Sequence, residues 1–236
     1  DAIDVAVHSL KDLPTSLPAG LELCAVLPRE DPVDVLVTKV PATLAEVPFG
    51  ATLATSSARR AKQLLYRRPD LVVTEIRGNV PTRLEKLAHD STLFGIILAQ
   101  AGLHRLGLNS GQGLLRRAPA PLFVQPLPEM LPAAGQGIIG LEIASPNDRA
   151  RAWLAQVNHP ATWLCARAER DFLRLIDGGC GVPVGMRSRV EGDTLHLEAI
   201  IFDLETEPRT GVVRMPAEDP QGAAAALLEE VYGKRR

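Results

Sequence analysis

The sequence has few cysteines, few aromatic residues and no long apolar run, and these shortages exclude several classes of protein. Three cysteines in 236 residues, with no CxxC pair, are too few for a disulfide framework or a zinc site. No stretch of 18 apolar residues occurs, so no transmembrane helix is expected. Basic and acidic residues number 26 and 28, which argues against phosphate-driven nucleic-acid binding. We therefore expect a cytoplasmic protein without a metal, a nucleic-acid partner or a membrane partner.

What the sequence has in excess is arginine. Apolar residues make up 46% of the chain, as in an ordinary globular protein, but 21 of the 26 basic residues are Arg and only 5 are Lys. The planar guanidinium group pairs bidentately with carboxylates and phosphates. A GC-rich genome would also raise Arg over Lys, so the positions of the arginines have to separate these two explanations.

The pattern of predicted elements changes along the chain, at about 33 and again at about 159. Between about 33 and 131, predicted strands alternate with helices, which favours an α/β domain with a mainly parallel sheet. After about 159 the pattern predicts a small α+β domain with an antiparallel three-stranded sheet. The Pro-rich segment 115–133 is predicted as an extended connection.

Basic and hydroxyl side chains follow successive strands of the middle region. In open α/β sheets, ligands bind beyond the carboxyl ends of the strands, where helix N-termini attract anions. Helix caps and solvated surface arginines are the alternative explanation for each residue alone. Together the positions favour a site for several carboxylates or phosphates. The residues are Thr55, Ser56, Ser57, Arg59, Arg60, Arg77, Arg83 and Arg105.

Two further positions are candidates for chemistry. Asp12, beside Lys11, follows the first predicted strand and is a candidate acid/base or a partner for a cation that develops in the reaction; a turn aspartate before a proline is the alternative. Cys180 lies in a glycine-flanked loop, where a thiol can be a nucleophile or an attachment point. Cys24 and Cys165 are expected to be buried and inert.

Seven motifs occur in the order in which one enzyme family has them. They are HSLKDLP (8–14), REDP (29–32), TSSARR (55–60), RGNVPTRL (77–84), AGLHRLG (101–107), AAGQG (133–137) and GGCGVPVG (178–185). By this ordered set the sequence resembles the hydroxymethylbilane synthase family, also called porphobilinogen deaminase. The family begins with several dozen more residues, so the resemblance indicates an N-terminally truncated member.

The resemblance implies a fold and a reaction. The fold is α/β, with two periplasmic-binding-protein-like domains, the first incomplete here, an active site between them and a small C-terminal α+β domain. The implied bounds are 1–31 with 132–156 for domain 1, 32–131 for domain 2, and 157–236 for domain 3. The reaction belongs to a transferase of porphyrin and haem biosynthesis. It joins four porphobilinogen molecules head to tail, releases ammonia at each step and hydrolyses off the linear tetrapyrrole hydroxymethylbilane. A monomer is expected.

The resemblance also implies roles for individual residues. A dipyrromethane cofactor is attached through a thioether to Cys180, and Asp12 matches the catalytic aspartate. The carboxylate-binding arginines match Arg59, Arg60, Arg77, Arg83 and Arg105. The other cofactor or substrate contacts match Ser9, Lys11, Thr55, Ser56, Ser57 and Gln136.

Two alternatives remain open at this point. One is a non-catalytic two-domain binding protein for a small polyanion, and the other is an inactive truncated relative. The Gly-Gly-Cys loop argues against the first alternative, because a binding protein needs no such thiol.

Overall fold

The computed structural model describes residues 3–108, 111–176, 182–203 and 207–233. The chain forms two compact units: unit 1 is Asp1–Glu30 with Pro132–Arg236, and unit 2 is Asp31–Leu131. The finer division into three domains remains a prediction. In the part of the chain that the structure describes, every helix is too short or too polar to cross a membrane.

Strands and short helices alternate over most of the chain. The strands are β1 (Ala6–Ser9), β2 (Leu21–Val26), β3 (Asp34–Thr38), β4 (Thr52–Ala54), β5 (Val72–Thr74), β6 (Gly95–Ala99), β7 (Gly113–Leu114), β8 (Phe123–Leu127), β9 (Ile139–Ala144), β10 (Val184–Glu191), β11 (Thr194–Ile201) and β12 (Arg209–Pro216). The helices are α1 (Ala58–Arg67), α2 (Val80–His89), α3 (Gln100–Arg105), α4 (Asp148–Leu154), α5 (Pro160–Ile176) and α6 (Pro220–Tyr232), with short 3₁₀ turns at Leu10–Asp12 and Leu44–Glu46.

Unit 2 is built on one mixed sheet with the order β5-β4-β6-β3-β8-β7. Strand β4 is parallel to β5 and β6, but β3 is antiparallel to β6 and β8, and β7 is antiparallel to β8. The prediction of a mainly parallel sheet is therefore wrong. The predicted extended connection at 115–133 also contains β8, whose strand signal is obscured by Pro126.

Both faces of this sheet are covered by helices. Val35 and Val37 of β3 pack on one face with Leu84 of α2, whereas Leu36 packs on the other face with Leu64 of α1. Side chains of a strand alternate between faces, so the central residues Val35, Leu36 and Val37 of β3 are all apolar because both faces are buried. This packing holds the carboxyl ends of β4, β5 and β6 in fixed positions.

Unit 1 contains two antiparallel three-stranded sheets, β1-β9-β2 and β10-β11-β12. The second is the antiparallel C-terminal sheet expected from the sequence. Helix α5 joins the two parts of the unit: Phe172 and Ala168 pack against Leu197 and Leu227 near the second sheet, while Ala166 packs against Leu10 near the first.

A buried carboxylate on α5 ties together segments that are far apart in the sequence. Glu169 is fully buried, and Arg29 Nη1 donates to its Oε1 at 2.6 Å. The Ser188 hydroxyl donates to the same oxygen at 2.5 Å, and the Gly135 amide donates to Oε2 at 2.6 Å. A buried charge is tolerated only when it is paired and hydrogen-bonded, and Glu169 meets that condition.

The loop before β9 passes very close to the chain at Glu30. The Glu30 amide donates to the Gly137 carbonyl at 2.9 Å. Gly137 has φ +81°, and a Cβ there would lie 2.3 Å from the Glu30 carbonyl oxygen. Because both the positive φ and the close backbone approach exclude a side chain, only glycine fits at this position.

We expect Gly137→Ala to lower the free energy of unfolding of unit 1 by about 2–4 kcal/mol, through overpacking and left-handed strain together. Gly192→Ala is the matched control, because Gly192 has φ +60° with nothing within 4 Å of the added Cβ. The control should lose about 1 kcal/mol, from strain alone. Urea unfolding measures both, and equal losses in the two variants would contradict the close approach.

Candidate active site

The loops after the parallel strands β4 and β5 bring several predicted site residues together. The Ser56 hydroxyl donates to the Ile76 carbonyl at 2.8 Å and accepts from the Ile76 amide at 3.1 Å, so it links the two loops. Ser57 is the N-cap of α1, and its hydroxyl accepts from the Arg60 amide at 3.4 Å. The buried Thr55 hydroxyl accepts from the Ser57 amide at 3.2 Å. The sequence therefore places Thr55–Ser57 correctly at a strand end, where these side chains also organise the loops.

Arg59 and Arg60, at the start of α1, share one buried carboxylate, Asp34. Arg59 Nη1 donates to Asp34 Oδ2 at 2.6 Å and also to the Leu131 carbonyl at 2.6 Å. Arg60 donates through Nε and Nη2 to Asp34 Oδ1 at 3.0 and 2.7 Å, and through Nη1 to the Ile97 carbonyl. Asp34 is fully buried, and the two arginines are about 6% and 5% exposed. The sequence analysis missed Asp34, although a carboxylate that opens the apolar run of β3 is a signal that could have found it.

The electrostatics of this cluster favour a further anion. Burial alone would raise the pKa of Asp34, but the charges of Arg60 and Arg59 and their hydrogen bonds outweigh it and lower the pKa to about 2. Burial lowers the pKa of Arg59, opposed by Asp34 and assisted by repulsion from Arg60. Burial and the charge of Arg60 also lower the pKa of Arg83. Two guanidinium groups thus share one carboxylate, and the third, Arg83, is near enough to Arg60 to feel its charge, which leaves an excess of positive charge.

One donor of the cluster has no acceptor among the described residues. The Nε atom of Arg59 is buried and makes no hydrogen bond there. A buried N–H group without a partner costs about 1–3 kcal/mol, so a ligand atom that accepted this hydrogen bond would remove the cost and bind more tightly. An anionic oxygen is the acceptor that this positive cluster favours most.

The other predicted arginines lie at different depths around these loops. Arg83 is half-buried on α2, and its Nε donates to the Gly78 carbonyl at 2.7 Å. Arg77 is exposed and pairs with the exposed Glu75 at 3.0 Å. Like Asp34, Glu75 is a carboxylate partner that was not identified from the sequence. Arg105 is the last residue of α3, so it lies more than a turn beyond the end of β6 rather than directly after it.

The predicted residues of unit 1 follow β1. The strand ends at Ser9 and continues into the 3₁₀ turn Leu10–Asp12, in which Leu10 is buried. Ser9, Lys11 and Asp12 are all exposed, so the turn carries three exposed polar side chains while Leu10 fixes it to the core. Gln136 is buried, and its carbonyl accepts from Arg29 Nε at 2.9 Å.

Two of the three cysteines lie in the described part of the chain, and they differ in burial. Cys180 lies outside the described residues. Cys165 is buried as expected, whereas Cys24 is only half-buried, because strand β2 leaves it partly accessible. Burial raises the pKa of both thiols, and in Cys24 the charge of Glu22 raises it further. Both are therefore weak nucleophiles at neutral pH. Within the described residues, no group of three or more metal-ligating side chains occurs.

We expect Asp34→Asn to cost about 3–5 kcal/mol of unfolding free energy, because two buried guanidinium groups lose their counter-charge. Glu75→Gln, which breaks an exposed pair, should cost less than about 1 kcal/mol. Because folding lowers the pKa of Asp34, its contribution is complete above the ordinary pKa of 3.8 and is lost as the pH falls through about 2. Urea titrations from pH 7 to 2 measure this, and an unchanged stability of the Asn variant would contradict the shared-carboxylate arrangement.

Comparisons with known proteins agree on one family. Residues 1–152 match the family model described as "Porphobilinogen deaminase, dipyromethane cofactor binding domain". Residues 163–231 match the model of the porphobilinogen deaminase C-terminal domain. Porphobilinogen deaminase of Moorella thermoacetica is 44% identical over 234 residues, which are 99% of this chain and 72% of that protein. The enzyme of Roseiflexus castenholzii is 43% identical over 97% of this chain and 72% of its own length.

Among solved structures, a double mutant of the Bordetella pertussis BvgS VFT2 domain aligns with 65% of this chain and 60% of its own, at 17% identity and a TM-score of 0.40. The sequence relatives are far more informative, since their similarity runs through nearly the whole chain. The resemblance found in the ordered motifs is confirmed. The chain belongs to the porphobilinogen deaminase family.

Proposed function

We propose that this chain carries out the porphobilinogen deaminase reaction, in which four porphobilinogen molecules are joined head to tail into hydroxymethylbilane. Each addition breaks the C–N bond of an aminomethyl group, releases ammonia and forms a C–C bond to the next pyrrole, which loses a ring proton. Membership of the family supports the reaction. The positive cluster around Arg59, Arg60 and Arg83 supports the chemistry of the substrate, because every porphobilinogen carries an acetate and a propionate.

The arginines of unit 2 bind these carboxylates. Arg59 Nε is a buried donor without an acceptor among the described residues, and the accessible Arg83 and Arg77 have further N–H groups. Each charge-assisted hydrogen bond contributes about 1.5–3 kcal/mol. Arg60 and Arg105, with Thr55, Ser56 and Ser57, complete the proposed set of contacts. The growing chain gains two carboxylates per unit, so a set of several arginines fits it better than one.

Asp12 is the proposed catalytic residue. Its carboxylate is exposed at the end of a turn whose backbone is anchored by buried Leu10. When ammonia leaves, positive charge develops on the substrate pyrrole, and a carboxylate that accepts the pyrrole N–H stabilises that charge. Ser9, Lys11 and Gln136 are the proposed neighbouring contacts in unit 1.

The dipyrromethane cofactor is held through a thioether to Cys180 and supplies the primer to which the first substrate is joined. The residues present fit this group, because its acetate and propionate side chains are acceptors for the cationic cluster and for the buried Arg59 Nε. The other two thiols are disfavoured, because Cys165 is buried and burial raises the pKa of both Cys24 and Cys165. A non-catalytic polyanion-binding protein is not favoured, since the whole chain matches an enzyme family.

The same proposal places the protein in the cytoplasm as a monomer, with neither a nucleic acid nor a membrane as partner. The free thiols of Cys24 and Cys165 are consistent with a reducing compartment.

We expect Asp12→Asn to lower the turnover of the intact enzyme by roughly 100-fold or more, because the amide cannot balance the developing positive charge. Substrate affinity and cofactor attachment should change little. Asp148→Asn is the matched control, since the Asp148 side chain is 94% exposed on the same unit. Steady-state kinetics give the rates, and intact-mass analysis gives the cofactor content.

Cys180→Ala completes the test of the proposal. This variant should lack the added mass of a dipyrromethane, which peptide mapping of the parent protein should place on Cys180. Normal turnover in Asp12→Asn would reject the catalytic role, and an adduct on Cys24 or Cys165 would reject the attachment site.

A further inference from the structure

Helix α5 reaches the segment that directly follows Asp12. The guanidinium group of Arg170 donates from Nη1 to the Leu13 carbonyl at 3.1 Å. Its Nη2 donates to the Pro14 carbonyl at 2.6 Å and to the Thr15 carbonyl at 3.0 Å. One side chain therefore binds three consecutive backbone carbonyls. A guanidinium group can do this because its five N–H donors are held in one rigid plane, whereas a lysine ammonium is a single point with no such fixed geometry.

Arg170 is an unusual residue for a purely structural role. It is only 6% exposed, yet it forms no ion pair with a described residue. The neighbouring Asp171 pairs instead with Arg174, at 2.5 Å. Burial and the charge of Arg174 lower the pKa of Arg170, and the charge of Asp171 only partly opposes them, so the group is held in place at an electrostatic cost. A buried positive charge whose hydrogen bonds go to one loop fixes that loop strongly.

The other side of Asp12 is fixed separately. The Leu10 amide donates to the Ile138 carbonyl at 3.0 Å, and the Leu13 amide closes the turn on the Leu10 carbonyl at 3.1 Å. Gly135, with φ +72°, packs so closely that a Cβ there would lie 3.0 Å from the Lys11 amide nitrogen. The side chain of Asp12 itself makes no hydrogen bond with a described residue. Its position is therefore set by the backbone on both sides, at Leu10 and at Leu13–Thr15.

We propose that Arg170 is a positioning residue for Asp12: it clamps the Leu13–Thr15 carbonyls and so holds the carboxylate where positive charge develops. This inference rests on the proposed function of Asp12. Loss of the clamp should let the turn move while its Leu10 end stays anchored. A displacement of about 1 Å at a reacting group can cost about 100-fold in rate, whereas substrate binding by arginines elsewhere is unaffected.

The test compares Arg170→Gln and Arg170→Lys with Arg167→Gln in the intact, cofactor-loaded enzyme. Arg167 lies on the same helix and is exposed, so it controls for the loss of a positive charge from α5. Arg170→Gln should lower kcat at least 10-fold with KM within about 2-fold and with the covalent cofactor retained. Arg170→Lys should give an intermediate kcat, and Arg167→Gln should be normal. Hydrogen exchange should accelerate in the peptide over residues 9–16, and not elsewhere in unit 1.

A double variant separates this inference from the proposed function. In Asp12→Asn/Arg170→Gln, the turnover should equal that of Asp12→Asn alone within about 2-fold, because a clamp without its carboxylate has nothing to position. If Asp12→Asn is fully active, the proposed function fails. If Asp12→Asn is impaired but the two losses multiply, or if Arg170→Gln lowers thermal stability with unchanged kcat and exchange, the inference is overturned. Should Arg170→Gln not fold, the same measurements on Arg170→Lys decide the question.

Discussion

The candidate site of unit 2 depends on a single buried carboxylate shared by two arginines. Asp34 holds Arg59 and Arg60 in fixed orientations, and without it neither guanidinium group could be buried at the start of α1. Because one negative charge is shared by two positive ones, the cluster keeps a net positive charge, and the charge of Arg60 is felt at Arg83. The same contact therefore contributes to the packing of the unit and to the local positive potential.

Unit 1 also has a buried carboxylate, but only one of its partners among the described residues is an arginine. There a buried carboxylate, Glu169, accepts from Arg29, Ser188 and the Gly135 amide, while the adjacent Arg170 donates to the loop after Asp12. Arg170 thus holds the Leu13–Thr15 side of the turn that carries Asp12, while Glu169 holds Gly135, which packs against Leu10 and Lys11 on the other side. An exposed carboxylate that moved freely would lower the activation barrier less, since stabilisation of a developing charge requires a group that is already in place.

Much of this could be predicted from the sequence, but only where the signal is local. Helix α5 and the C-terminal sheet follow from periodicity, and Ser57 from its position before α1. The direction of β3 and β8 could not be predicted, because strand pairing is non-local and Pro126 interrupts the strand pattern. The motif at 55–60 indicates Arg59 and Arg60, yet nothing local indicates that Asp34, more than 20 residues earlier, pairs with both. The pairing of Glu169 with Arg29 could not be predicted for the same reason, because the two residues are far apart in the sequence.

We propose that the Asp34-centred cluster binds the carboxylates of the tetrapyrrole chain while Asp34 stays paired with both arginines. A crystal structure of the cofactor-loaded enzyme tests it most directly. We expect a carboxylate oxygen within hydrogen-bond distance of Arg59 Nε and another at Arg83, with Asp34 still bound to both Arg59 and Arg60. Carboxylates bound away from these groups, or an Asp34 released from its two arginines, would contradict it.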